Sequence, residues 1–246
     1  MAGMPQAKVF LTAEWRDLVM LNYEVDPRLL GRYIPRGTTL DSFDGKTYIS
    51  LVAFRFCRTR LFASVAVPFH SNFEEVNLRF YVRRQEGEEN RRGVVFVAEI
   101  VPRRVIAAIA RIMYGENYVS ASMERQIAED EDGACRTFQY KWLRNSELCE
   151  LWAKVSGPPQ PPQQGSLEQF ITEHYWGYSA QRNGGTVEYH VAHVPWRTWT
   201  CIAAKFDGDL SELYGADLGR IVQGPPSSAF IAEGSPVTVF RGCRIL

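Results

Sequence analysis

The first half of the chain contains apolar runs with the two-residue period of β-strands. Residues 46–56 are apolar on both faces of such a strand, with Ile49, Leu51 and Ala53 on one side and Tyr48, Val52 and Phe54 on the other. A strand with one exposed face would alternate apolar and polar residues. This run therefore predicts a central strand that is covered on both sides.

Residues 75–83 alternate cleanly, and their polar face is chemically unusual. It carries Glu75, Asn77 and Arg79, while the apolar face carries Val76, Leu78, Phe80 and Val82. The polar stripe would line the lumen if the sheet closes into a barrel, and it would face water if the sheet stays open.

Turn and capping residues divide the rest of the chain into further strands and short helices. The predicted strands are 15–25, 94–100, 118–128, 134–143, 178–180, 186–194 and 237–246. A polar loop at 84–92 precedes strand 94–100. Turns at 130–133 and at Asn183-Gly184-Gly185 connect 118–128 to 134–143 and 178–180 to 186–194. The predicted helices begin after Asp26-Pro27, at 102–113, at 167–175 behind the Ser166/Gln169 capping box, and near 210–214.

These elements predict an α+β fold dominated by β-structure, with an antiparallel curved sheet or β-barrel and a few short helices. We expect a single domain over residues 1–246. The proline-rich segment 157–165 is predicted to be an extended surface loop.

Composition narrows the classes of partner and compartment. Acidic and basic residues balance at 28 each, which argues against a nucleic-acid partner. No apolar run approaches the roughly 20 residues of a membrane span, and no signal pattern opens the chain. Five cysteines without a C-x-x-C pair favour a reducing, cytoplasmic location. A homo-oligomer is left open.

No motif in the chain indicates a cofactor or a metal. His190 and His193 lie three apart in a predicted strand, which directs them to opposite faces. The sequence contains neither an H-E-x-x-H pattern nor a cluster of cysteine and histidine. We therefore predict no metal site and no cofactor, and we interpret His193-Val-Pro-Trp196 as a packed corner.

Several segments resemble the uncharacterised DUF2071 (YqjF-like) branch of the acetoacetate decarboxylase-like superfamily. They are Arg16 to Pro35, Phe73 to Val82, Gly93 to Val97, Ala110-Arg111 leading to Tyr118, Ser166 to Tyr175 and His193 to Trp196. The resemblance implies a β-rich barrel with a ligand pocket. In the decarboxylases, a lysine forms a Schiff base with a β-keto acid beside a second lysine, an arginine and glutamates.

The chain matches only part of this decarboxylase site. Arg16 matches the arginine, and Glu75, in preference to Glu74, matches a glutamate, but the lysine pair falls near Tyr118-Val119. Only five of the 28 basic residues are lysines, and none lies between Lys46 and Lys141. An iminium requires a primary amine, so Schiff-base decarboxylation is not expected.

The leading hypothesis is a small-molecule pocket with Phe54, Phe80 and Tyr118 as apolar lining and Arg16, Asn77 and Arg79 as ligand-binding groups. Glu75 and Tyr118 are the catalytic candidates, for acid–base chemistry on a carbonyl or carboxylate compound. Three of these residues also have plainer interpretations. Glu75 would be a strand-end charge, Arg16 part of a surface ion pair, and Tyr118 a packed tyrosine. The alternatives are a ligand sensor or carrier and, less favoured, an interaction module that uses loop 157–165.

Overall fold

The computed structural model describes residues 8–62, 65–66, 71–102 and 118–246. The first strands are β1 Val9–Val25, β2 Thr39–Leu40, β3 Thr47–Leu61, β4 Val65–Ala66, β5 Phe73–Glu86, β6 Glu89–Val101, β7 Tyr118–Ser120 and β8 Met123–Glu129. The later strands are β9 Cys135–Arg144, β10 Glu147–Ser156, β11 Trp176–Ala180, β12 Thr186–Ala192, β13 Thr198–Asp207, β14 Ser228–Phe240 and β15 Cys243–Arg244.

The helices are few and short. A 3-10 helix spans Pro27–Tyr33, and the α-helices are α1 Leu167–Thr172, α2 Ser211–Tyr214 and α3 Ala216–Gln223. The predicted caps are present, since Asp26 accepts a hydrogen bond from the Arg28 amide and Ser166 accepts one from the Gln169 amide. The predicted helix at 102–113 lies almost entirely outside the described residues.

The sheet closes on itself. Hydrogen-bonded neighbours run β12–β11–β6–β5–β3–β1–β14, and β14 pairs back to β12 through Val191 with Val239 and Ala192 with Thr238. Most pairings are antiparallel, but β6 pairs in parallel with both β7 and β11. The predicted β-dominated barrel is therefore confirmed, in a mixed sheet. We call this ring the barrel.

A second layer covers the outside of the barrel. From β14 the sheet continues through β13, β10 and β9 to β8. The apolar face of β5 packs into the core between these layers, where Leu78 and Phe80 are fully buried with Phe138, Trp142 and Leu151. One face of β3 packs into this same core, and its opposite face packs inside the barrel through Val52, Phe54 and Phe56. This arrangement explains why the sequence of β3 is apolar on both faces.

Several predicted boundaries were wrong. Residues 84–92 are mostly strand, because β5 and β6 continue to a tight turn at 87–88. The predicted strand 118–128 is divided into β7 and β8, which pair with different partners. The predicted strand 237–246 mostly belongs to β14, which begins at Ser228. Strands β10 and β13 and helix α3 were not predicted.

Loop 157–165 lies against the second layer. Gln160 forms an isolated bridge with Thr198, and the Trp199 indole Nε1 donates to the Gly157 carbonyl over 2.9 Å. Part of this segment is therefore held in place by β13 and is not an independent extension.

Candidate functional site

The barrel encloses a pocket of about 110 Å³. Its apolar lining is largely aromatic and includes Trp15, Phe54, Phe56, Phe96, Trp176, Tyr189 and Trp196. Its polar lining consists of Glu75, Asn77, Arg79, Glu99, Tyr118, Thr172, His174 and His193. A mainly apolar cavity with a few convergent polar groups is the usual form of a small-molecule site.

The polar stripe of β5 faces this pocket. Glu75, Asn77 and Arg79 alternate along the strand, so all three point into the lumen, and each is at most 7% exposed. The neighbouring Glu74 instead lies 3.9 Å from Arg55 in an ion pair. Barrel closure thus places the stripe inside the molecule.

Two hydrogen bonds connect the acidic part of the site. Asn77 lies opposite Glu99 in the β5–β6 register and donates from Nδ2 to Glu75 Oε1 over 3.1 Å. The Tyr118 hydroxyl donates to Glu99 Oε1 over 2.8 Å. The site therefore contains two buried glutamates, each supported by a neutral donor. A buried carboxylate needs such hydrogen bonds to remain charged.

Arg79 lies in a different electrostatic setting. Within the described ranges, no carboxylate lies within 4.0 Å of its guanidinium, and Arg79 Nε makes no hydrogen bond. Its polar-atom contact is Nη2 to Met20 Sδ at 3.8 Å, and its guanidinium lies 5.9 Å from the Tyr81 ring centroid. By contrast, Arg84, Arg91 and Arg92 all pair with carboxylates. A buried cation without a counter-ion is costly, and an anionic ligand would offset that cost.

Arg16 does not lie in this pocket. It is half-exposed and donates to Glu14 over 2.8 Å. The strand bulges here, as Asp17 has a φ of 56° and the register with β3 shifts between Arg16 and Val19. Trp15 and Leu18 consequently both face the lumen while Arg16 is turned out.

The other predicted lining residues are divided between the inner and outer faces of the barrel wall. Phe54 and Tyr118 contact the pocket, whereas Phe80 is on the opposite face of β5 in the outer core. The prediction for Phe80 was wrong because it has the parity of Val76 and Leu78, which face away from the lumen.

A buried chain of hydrogen bonds connects three strands of the barrel next to His174. Ser50 Oγ donates to Asn22 Oδ1 over 2.6 Å, so the Tyr81 hydroxyl must donate in turn to Ser50 Oγ, also over 2.6 Å. The Tyr81 ring packs at 4.6 Å from the His174 ring. This chain links β1, β3 and β5.

His174 lies at the pocket and is held by Asp41. Its Nε2 is 3.3 Å from Asp41 Oδ2, which also accepts from Arg92 Nε over 2.7 Å. Burial alone would raise the pKa of Asp41, but the hydrogen bonds from His174 and Arg92 outweigh it and lower that pKa. Burial lowers the pKa of His174 to about 4 against the opposing contact with Asp41. At neutral pH the pair is therefore a neutral imidazole donating to a carboxylate.

His193 is also neutral at physiological pH. Burial lowers its pKa to about 4, and its Nδ1 donates to the Val194 carbonyl over 2.8 Å. Its ring stacks on Trp196 at 4.2 Å. The positive charge of Arg79 contributes to the lowered pKa of both His174 and His193.

Sequence reasoning missed Glu99, His174 and His193 as pocket groups. Glu99 gave a signal, since it is the lone charge in the apolar run 94–101. His174 gave none, because it follows the end of α1 and reaches the pocket only through the closure of β11 onto β6.

The lysines lie elsewhere. Lys46, Lys141, Lys154 and Lys205 form ion pairs with Glu24, Glu150, Asp130 and Asp207, and Lys8 is exposed. Among the described lining residues there is no lysine. In the same described ranges, no three His, Cys, Asp or Glu side chains are grouped as a metal site requires, and no helix is long and apolar enough to cross a membrane.

The family model of DUF2071, described as an uncharacterized conserved protein, matches residues 12–236. The chain belongs to this family. The uncharacterized protein YqjF of Bacillus subtilis is 24% identical over 194 residues, which cover 79% of this chain and 77% of YqjF. The family predicted from sequence motifs is thus confirmed.

Solved structures agree on the fold. The acetoacetate decarboxylase of Legionella pneumophila matches with a TM-score of 0.66 at 13% identity, over 100% of this chain and 92% of that one. The enduracididine biosynthesis enzyme MppR, complexed with pyruvate, matches with a TM-score of 0.65 at 15% identity, over 100% and 93%. An acetoacetate decarboxylase-like enzyme of Sphingomonas wittichii gives 0.63 at 12% identity, over 96% and 92%. At these identities, the likeness concerns the fold.

Proposed function

We propose that this DUF2071 protein binds a small carboxylate with a carbonyl group inside the barrel and performs acid–base chemistry on it without a Schiff base. The observation that carries the proposal is Arg79, a buried guanidinium that lines the pocket and has no carboxylate partner in the described part of the chain. A carboxylate matches the planar fork of arginine.

The acidic groups supply the chemistry. Glu75 takes a proton from the carbon next to the carbonyl, the electron pair of the broken C–H bond moves into an enolate, and Glu75 then returns a proton. Its oxygen is placed by Asn77 at 3.1 Å. Because the Tyr118 hydroxyl is already donated to Glu99, Arg79 is the better placed group to stabilise the charge on the enolate oxygen.

The positions of the lysines support a non-covalent mechanism. The four ion-paired lysines contact surface acids, and the segments outside the described residues contain no lysine. MppR has a similar fold and is complexed with pyruvate, which makes pyruvate a suitable probe.

The proposal is tested with pyruvate in D₂O. We expect the protein to accelerate deuterium incorporation at the methyl group, followed by proton NMR, and Glu75→Gln to lower this rate by about 10²-fold or more. Glu74→Gln is the matched control, since Glu74 pairs with Arg55, and it should leave the rate unchanged.

The outcomes separate the alternatives. Binding of pyruvate in calorimetry without exchange would identify a carrier or sensor and overturn the catalytic part. An exchange rate that is unchanged in Glu75→Gln would remove Glu75 from the mechanism. Absence of both binding and exchange for pyruvate and other short carboxylates would overturn the proposal as a whole.

A further inference from the structure

His174 lines the pocket, and its ring nitrogens have fixed hydrogen-bonding character. Its side chain is 1% exposed, and its Nδ1 makes no hydrogen bond among the described residues. Its other nitrogen, Nε2, contacts Asp41 Oδ2. An ionised carboxylate only accepts hydrogen bonds, so Nε2 must carry the proton of the neutral ring. Nδ1 is then an acceptor with a free lone pair.

Asp41 itself is held in the ionised, accepting state. Arg92 Nε donates to Asp41 Oδ2 over 2.7 Å, and the Asp41 backbone amide is bonded to the Tyr81 carbonyl over 2.9 Å. The guanidinium of Arg92 also lies 4.6 Å from the Phe170 ring centroid, and Phe170 packs at 5.1 Å from His174. Asp41, Arg92 and Phe170 therefore fix both the tautomer and the orientation of the imidazole.

His193 adds a second acceptor. Its Nδ1 donates to the Val194 carbonyl, which leaves Nε2 with the lone pair. Besides Glu75 and Glu99, the polar lining thus contains one cation, Arg79, and two neutral imidazole acceptors. A ligand that satisfies all of these groups needs an anionic end and a hydrogen-bond donor.

We infer that the pocket selects small carboxylates that carry a hydroxyl group, with Arg79 binding the carboxylate and His174 Nδ1 accepting from the hydroxyl. In the reacting compound this hydroxyl is that of the enol, which forms when the proton that Glu75 takes from carbon is passed to the enolate oxygen. The inference rests on the proposed function, because it assigns the other end of the same ligand. A cavity of about 110 Å³ suits such a compound, since a cavity of about 150 Å³ accommodates benzene.

The hydroxyl requirement follows from unmet hydrogen bonds. Propionate would leave Nδ1 without a donor, and pyruvate would place a carbonyl oxygen against a second acceptor. A site whose buried polar group stays unpaired discriminates strongly against such analogues.

Calorimetry on the full chain with lactate (each enantiomer), propionate and pyruvate tests this inference. We expect one lactate enantiomer to bind about tenfold more tightly than propionate or pyruvate. His174→Asn keeps an acceptor near the position of Nδ1 and should retain the preference. His174→Gln keeps a donor to Asp41 but removes that acceptor, and should bind the three carboxylates equally.

His190→Gln is the matched control, since His190 stacks on Phe240 at 5.4 Å outside the pocket lining, and it should bind like the wild type. Equal affinity of the wild type for the three carboxylates would overturn the inference and leave the role of Arg79 intact. A preference for lactate that survives in His174→Gln would also overturn it. Failure of all three to bind would instead overturn the proposed function and the inference with it.

Discussion

The Tyr118 hydroxyl donates to Glu99 Oε1 over 2.8 Å across the parallel pairing of β6 and β7. Glu99 is 2% exposed, so this bond gives one of its buried polar oxygens a hydrogen-bonding partner in Tyr118. The sequence resemblance predicts that the lysine pair of the decarboxylases falls near Tyr118-Val119, where the Tyr118 hydroxyl is a neutral donor. Tyr118 therefore first serves to hold the second glutamate in place.

Replacing Tyr118 by phenylalanine should destabilise the fold while leaving its shape unchanged. Loss of the donor to a buried carboxylate is expected to lower the free energy of unfolding by about 1–3 kcal/mol. Urea denaturation measures this. Tyr214→Phe is the control, because the buried Tyr214 hydroxyl makes no hydrogen bond to the described residues and its loss should cost little. Equal effects of the two substitutions would contradict a supporting role for Tyr118.

Replacement of Arg79 should have the opposite effect on stability, because this side chain serves ligand binding and its burial destabilises the folded protein. Arg79→Met removes a buried cation and places a thioether beside Met20, so the free energy of unfolding without ligand should rise by about 1 kcal/mol or more. With excess pyruvate, the wild type should gain stability and the variant should not.

Arg83→Met is the control for Arg79. Arg83 lies four residues further along β5 and is exposed, so its replacement should change stability by no more than about 0.5 kcal/mol. If Arg79→Met were strongly destabilised, Arg79 would have a structural role that the contacts of the described residues do not provide. Thermal and urea unfolding with and without pyruvate decide between these results.

The buried histidines predict how stability depends on pH. Burial lowers the pKa of His174 from 6.5 to about 4, so the unfolded chain binds more protons than the folded chain between these values. Stability from this group is therefore fully present above pH 6.5 and is lost as the pH falls towards 4. The expected loss is on the order of 3 kcal/mol.

Urea midpoints measured between pH 4 and 7 test this dependence. His174→Gln cannot titrate, so its stability should fall less steeply with decreasing pH than that of the wild type. Parallel curves for the two proteins would show that His174 is not buried in its neutral form. His193, whose pKa is also lowered to about 4, keeps part of the slope in the variant.

The sequence predicted the barrel wall better than the groups that meet inside it. Glu75, Asn77 and Arg79 were found together because a single strand with a two-residue period places them on one face. The same period, followed strictly, puts Phe80 on the other face of β5. Arg16 illustrates a further limit, since a bulge at Asp17 changes the parity of β1 and no local residue pattern indicated that bulge.

The remaining pocket groups depend on long-range pairing. His174 and Asp41 are 133 residues apart, and they meet because β11 joins β6 in parallel and closes the ring through β12 and β14. Closure of this kind depends on register across the whole sheet, which short windows of sequence do not specify. The Ser166 cap predicted the start of α1 correctly, but the predicted helix ran to Tyr175, three residues too far. The cap also could not indicate that His174, two residues beyond the end of α1, would contact Asp41.

Reductive trapping tests the departure from Schiff-base chemistry. Incubation with pyruvate and borohydride should leave the intact mass of the protein unchanged apart from slow background at the N-terminal amine, because the lysines lie outside the pocket lining. The Legionella pneumophila acetoacetate decarboxylase serves as the positive control. Peptide mapping then locates any adduct, and a stoichiometric modification on Lys141, Lys154 or Lys205 would show that a lysine reaches the ligand after all. The non-covalent proposal would then be replaced by an imine mechanism with a lysine from the second layer.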